Sequence, residues 1–168
     1  MVTDIIRNIA LFFLLLLIQI FLMDHIEFSG YVNPYVYVLF IILLPLEIPA
    51  WLLLILSFLA GLSVDLFNGT LGMHASATTF AGFLRPYILR ILAPRDGYDT
   101  GILPGSRQYG WRWFLVYVAL IVLVHHFALF YIEVFRFTNF FSTFLRALLS
   151  SVFSVGFILI IHLLFVKR

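Results

Sequence analysis

The chain has 168 residues, of which 64% are hydrophobic and only 11% charged, where a soluble domain carries roughly a quarter charged residues. So few charges cannot cover the surface of a water-soluble domain, and the composition calls for lipid as the surrounding solvent. Ten Lys and Arg against eight Asp and Glu, with no basic run, exclude a nucleic-acid footprint, and the absence of cysteine excludes disulfides and thiolate metal sites.

Crossing about 30 Å of hydrocarbon takes about 20 helical residues. The first apolar stretch, residues 5–23, is interrupted only by Arg7, Asn8 and Gln19. Its length, and the polar Asp24-His25-Ile26-Glu27 in place of small residues at a cleavage site, predict a retained helix and not a signal peptide. A second segment, 35–46, is only about 18 Å long as a helix. Pro45 and Pro49 punctuate the chain before a third segment, 50–67, and Asn68-Gly69-Thr70 turn it into a fourth, 71–93. The stretch 94–110, with four glycines and two prolines, is the longest polar loop. Two further helices are expected at 111–134 and 142–166.

Fusing the second and third segments into one kinked helix would give five spans, and charge placement decides against it. With six spans and a cytoplasmic N-terminus, Arg7, Arg90, Arg95, Arg107, Arg112, Lys167 and Arg168 lie inside, and Arg136 outside. Five spans would put the loop holding Arg95 and Arg107 outside, against the positive-inside rule. The expectation is therefore an all-α, polytopic membrane helix bundle of about six transmembrane helices, one domain over residues 1–168, with both termini cytoplasmic. Aromatic residues near the helix ends, such as Tyr31, Trp51 and Trp111, fit an interfacial belt.

The stretch from Gly61 to Ala77 carries the most information. Asp65 sits at a helix end beside Gly69 and Gly72, with His74 opening the next helix. Ionisable residues at bilayer depth are functional candidates by default. The plainer reading is that Asp65 caps or anchors a tight hairpin. Its depth suggests pairing with Arg146 or His74, and a comparable depth pairs Glu47 with Arg85. His125-His126 point about 100° apart on a helix, which suits hydrogen-bonded packing better than one metal site. No phosphate-binding loop, nucleophile elbow or acid–base pair is present, so no enzyme, no metal and no cofactor is expected. Intramembrane serines (Ser57, Ser63, Ser150, Ser151, Ser154) are expected to bond back to their own helices.

The pattern Gly61-Leu-x-x-Asp65-Leu-Phe-x-Gly69-x-Leu-Gly72-x-His74, followed by Arg85-Pro86, resembles the rod shape-determining protein MreD family. Chain length and six-span hydropathy are also similar to that family. The resemblance implies a bacterial inner-membrane subunit of the cell-elongation machinery. It would be non-enzymatic, scaffolding or regulating lateral peptidoglycan synthesis with MreC, MreB and the lateral wall synthases as partners. Gly61, Asp65, Gly69, Gly72 and His74 would then form a partner-binding or structural motif. The alternative is a substrate-binding membrane subunit of an energy-coupling-factor-type vitamin transporter, which has similar hydropathy but should enclose a pocket of convergent polar groups.

Overall fold

The computed structural model describes residues 2–25, 31–70, 72–99, 101–134 and 140–166, and the regular elements among them are all helices. They are α1 (Val2–Phe21), α2 (Leu39–Leu43), α3 (Ala50–Asn68), α4 (Met73–Ile91), α5 (Ser106–Tyr109), α6 (Trp111–Val134) and α7 (Phe140–Val166), with a 3₁₀ turn at Met23–His25. Three of them, α3, α6 and α7, are long and apolar enough to cross a membrane. Arg136, Lys167 and Arg168 of the charge argument, Ile26 and Glu27 beyond α1, and Leu71 at the expected start of the fourth helix lie outside the described residues.

Packing follows chain order. Antiparallel α3 and α4 form the closest helix pair, α4 packs on α6, and α6 on α7. Two glycines allow the first of these contacts. A Cβ on Gly61 would strike the carbonyl oxygen of His74 and come within 2.6 Å of the Cα of Ala75. One on Gly82 would strike the hydroxyl of Ser57. Small residues permit close helix approach where no hydrophobic drive separates helix from lipid.

The second expected helix departs most from expectation. Only Leu39–Leu43 is α-helical, and residues 31–38 run non-helically through the middle of the bundle. The cause is local: Pro34 biases Asn33 away from helix, and aromatic and β-branched Tyr35-Val36 favour extended chain up to the turn at Tyr37-Val38 that opens the short helix. Pro45 ends the short helix, and Ile48 N–H bonds back to its carbonyl in a turn.

Changing conformation also lengthens the path. Non-helical chain advances up to about 3.3 Å per residue, against about 1.5 Å in a helix. The Tyr31 hydroxyl donates to the Ser142 carbonyl at the first turns of α7 (2.8 Å). Asn33 N–H then reaches Ser150 Oγ (3.1 Å) and Tyr35 N–H reaches Ser154 Oγ (2.8 Å). The segment therefore descends alongside α7, and by Leu44 and Pro45 it has arrived at Arg85, in the second half of α4. Val36, Tyr37, Val38, Leu39, Ile41 and Ile42 are almost fully buried. This segment is the axis around which the long helices pack.

The polar stretch after α4 is tied down by its aromatics. Tyr98 Oη donates to the Leu89 carbonyl (2.7 Å) and Trp113 Nε1 to that of Leu92 (2.9 Å), satisfying carbonyls at the C-terminal end of α4. Partial burial raises the Tyr98 phenol above its ordinary range.

The glycine contacts predict an asymmetric response. Gly61→Ala should lower unfolding stability by about 1–3 kcal/mol, because backbone on both sides must move. Gly156→Ala, where an added Cβ meets nothing within 4 Å, should be neutral or stabilising by up to about 1 kcal/mol. Unfolding of the two variants in mixed micelles checks the contrast.

Candidate functional site

The hairpin between α3 and α4 gives Gly61, Asp65, Gly69 and Gly72 of the Gly61–His74 pattern a structural role each. Asp65, 4% exposed, sits in the last turn of α3, with its carboxylate aimed across the turn at the start of α4. Oδ1 accepts from His74 N–H (3.0 Å) and from the Thr70 hydroxyl (2.6 Å), and Oδ2 accepts from Ala75 N–H (2.8 Å). The first N–H groups of a helix lack intrahelical partners and favour negative charge. Asp65 therefore caps α4 from the preceding helix. Gly69 (φ +66°) and Gly72 (φ +78°) supply the two left-handed residues that reverse the chain, where any side chain is strained. Gly61 lets the helices close.

The expected charge pairs are replaced by other contacts. Asp65 meets the backbone N–H of His74 and not its ring. Arg146 pairs instead with Glu133 (3.1 Å), and its guanidinium lies 4.5 Å over the Phe130 ring. Arg85, 1% exposed, donates to the carbonyls of Leu44 and Pro45 and, through Nε, to Tyr117 Oη (2.7 Å). Glu47 is exposed, beyond the turn at Pro45. Equal depth was the only signal for these pairs, and depth leaves helix rotation free.

What Arg85 does belongs to a larger arrangement. The buried chain from Pro34 to Pro45 has backbone groups without helical partners, and side chains from four helices supply them. Gln19 of α1, fully buried, accepts at Oε1 from Val36 N–H (2.8 Å) and Tyr37 N–H (3.4 Å). Its Nε2 donates to the Pro34 carbonyl (3.2 Å) and to Asp24 (2.7 Å). Ser150 and Ser154 of α7 accept from Asn33 and Tyr35. Tyr117 of α6 donates to the Ile42 carbonyl (3.1 Å), and Arg85 of α4 takes Leu44 and Pro45. Ser57, Ser63 and Ser151 do bond back to their own helices. Ser150 and Ser154 depart from that expectation because an unpaired backbone runs beside them. Gln19 was legible only as one of two amides in an apolar helix.

At the centre, Tyr37 joins His74 and Thr78 of α4 to His125 of α6. Its hydroxyl lies 2.7 Å from His125 Nε2, 2.8 Å from Thr78 Oγ1 and 3.2 Å from His74 Nδ1. The partners assign most of the protons. Val122 O can only accept, so His126 Nδ1 (2.9 Å) carries a hydrogen and its Nε2 accepts from Ser154 Oγ (2.8 Å). His125 Nδ1 faces His126 Nδ1 at 3.5 Å and must be bare. Its Nε2–H therefore donates to Tyr37. Tyr37 in turn donates to Thr78, whose hydroxyl donates to the His74 carbonyl (2.7 Å). This assignment needs only one ring hydrogen on each imidazole of the pair. Each end of the network terminates on a backbone carbonyl, which makes it a cross-brace between α4, α6, α7 and the broken segment. Among the described residues no group of three or more His, Cys, Asp or Glu could hold a metal.

Tyr37→Phe should cost about 1–3 kcal/mol, because it strands the His125 N–H in a buried site. A double-mutant cycle with His125→Phe should show coupling of about 0.5 kcal/mol or more. Asp65→Ala should destabilise the hairpin by a similar amount, and Asp65→Asn, which keeps the acceptor oxygen, by less. Thermal unfolding in detergent checks all of these.

No protein-family model, no curated protein and no solved structure matches this chain.

Proposed function

We propose that the chain is a non-enzymatic, multi-pass subunit of a bacterial inner membrane that works as an assembly partner in the cell-elongation machinery, as its resemblance to the MreD family implies. The observation that carries this reading is how the buried polar groups are used. Gln19, Arg85, Tyr117, Ser150 and Ser154 serve the chain's own backbone, and Asp65 serves its own turn. A transporter subunit needs convergent polar groups facing a substrate, and a catalyst needs an acid–base pair with room beside it. Contacts made by outward-facing apolar helix surfaces are the means of action this reading favours.

In this reading α1, the broken segment 31–46, α3, α4, α6 and α7 make six crossings, with both termini on the side of Arg90, Arg95, Arg107 and Arg112. The hairpin motif acts as a rigid mount. Asp65 is buried, so the partner contact falls on the neighbouring Leu66 and Phe67, which are 76% and 64% exposed.

Affinity purification of the tagged chain in mild detergent, with mass spectrometry of what accompanies it, tests the role. Recovery of MreC or other elongation proteins is expected. Leu66→Ala with Phe67→Ala should reduce that recovery severalfold without lowering expression. Recovery of ATPase and coupling subunits would favour a transporter instead. Because the chain has no native cysteine, single substitutions also report topology. Asn68→Cys should react with an impermeant maleimide added outside the cell, and Asp96→Cys only after permeabilisation. Labelling of both from outside would refute six crossings.

A further inference from the structure

Beside the broken segment, α1 and α3 stand apart and leave an apolar groove of about 1040 Å³. Its walls are Asn8 to Phe13 on α1 and Leu52 to Leu59 on α3, and its floor includes Phe40, Leu44 and Pro45. Glu47 and Asn8 are the polar residues of the lining. Further along both helices, buried Leu15 and Ala60 mark where the groove closes.

The dimensions select among occupants. The five steps from Asn8 to Phe13 and the seven from Leu52 to Leu59 trace a path of about 7–10 Å at about 1.5 Å per step. A partner's transmembrane helix would pack along the full hydrocarbon depth of about 30 Å, whereas one leaflet offers about 15 Å. The groove therefore matches the acyl region of a single leaflet, open at the side to the bilayer.

The mouth selects the headgroup. Glu47 is an exposed carboxylate at the rim of an otherwise apolar groove. An ammonium complements Glu47, whereas a purely anionic headgroup meets the Glu47 charge unfavourably. We propose that this groove is a site for one phospholipid bearing a primary ammonium headgroup, its acyl chain lying against Phe12, Phe40 and Leu56 and its ammonium on Glu47. The proposal rests on the membrane-embedded reading above and is independent of which protein the chain assembles with.

The test is native mass spectrometry of the purified full-length chain, delipidated in detergent and then offered dioleoyl phosphatidylethanolamine or dioleoyl phosphatidylglycerol. One ethanolamine lipid should be retained about fivefold better, the ratio that a surface ion pair of about 1 kcal/mol gives. Glu47→Gln should bring the ratio close to one. Leu56→Trp, which fills the groove, should lower retention of both lipids. Leu59→Trp at the exposed edge provides a second filling variant should the first unfold, as judged by circular dichroism. Equal retention of the two lipids by the wild type, or a ratio unchanged by Glu47→Gln, would overturn the proposal. So would a photo-crosslinker at Leu59 that captures a second copy or another protein's helix in native membranes. Those results would leave the assembly role to be decided by its own co-purification.

Discussion

A peptide backbone buried away from water must find partners for its N–H and C=O groups, and in this chain one central segment cannot find them in itself. Residues 31–38 are non-helical, lie at the heart of the bundle, and continue into a helix of only five residues, Leu39–Leu43. Unpaired, each buried polar group would cost several kcal/mol in a hydrocarbon surrounding. The polar residues of the long helices are placed to meet that demand. Gln19 serves two N–H groups and a carbonyl, Ser150 and Ser154 one N–H each, and Arg85 with Tyr117 three carbonyls. Irregular backbone at such depth is tolerated when protein surrounds it, and here α1, α4, α6 and α7 do so.

This demand explains why the two most conspicuous basic side chains behave differently. Arg85 is buried and holds backbone carbonyls, so its charge is spread over three oxygen acceptors without a carboxylate. Arg146 lies nearer the surface and takes the carboxylate of Glu133 and the face of Phe130. A pair such as Arg146 with Glu133, partly open to solvent, contributes little stability by itself. The Arg85 contacts matter more, because removing them would orphan the buried Leu44 carbonyl. The same logic applies to Tyr37, which closes the histidine network only because the broken segment carries it to the level of His74 and His125.

The hairpin of α3 and α4 depends on a second, local constraint. Two helices in contact need small residues between them, a reversal needs left-handed positions, and a helix start needs acceptors. Gly61, Gly69 with Gly72, and Asp65 meet these in order. Partner recognition at this place would use the exposed residues that the hairpin presents, with the motif fixing their orientation.

The sequence by itself determined much of the architecture, because helix lengths, turn glycines and the scarcity of charge are local or compositional properties. The long helices were legible from apolar runs bounded by Pro, Gly and polar residues, and the capping role of Asp65 was open as one reading of a carboxylate beside a glycine turn. Even the broken segment left a trace: it was too short for a helical span, and Asn-Pro-Tyr-Val-Tyr-Val carries the alternation of extended chain. Tertiary structure alone decided which polar groups meet. Helix rotation places Arg85 on Leu44 and Pro45 and not on Glu47, and turns Ser154 toward Tyr35 instead of its own helix. A hydrogen bond needs alignment within a few tenths of an ångström, whereas hydropathy and depth fix position only to about a helical turn. Partner choice among the buried polar side chains is therefore invisible in the sequence until the packing of all the helices is known.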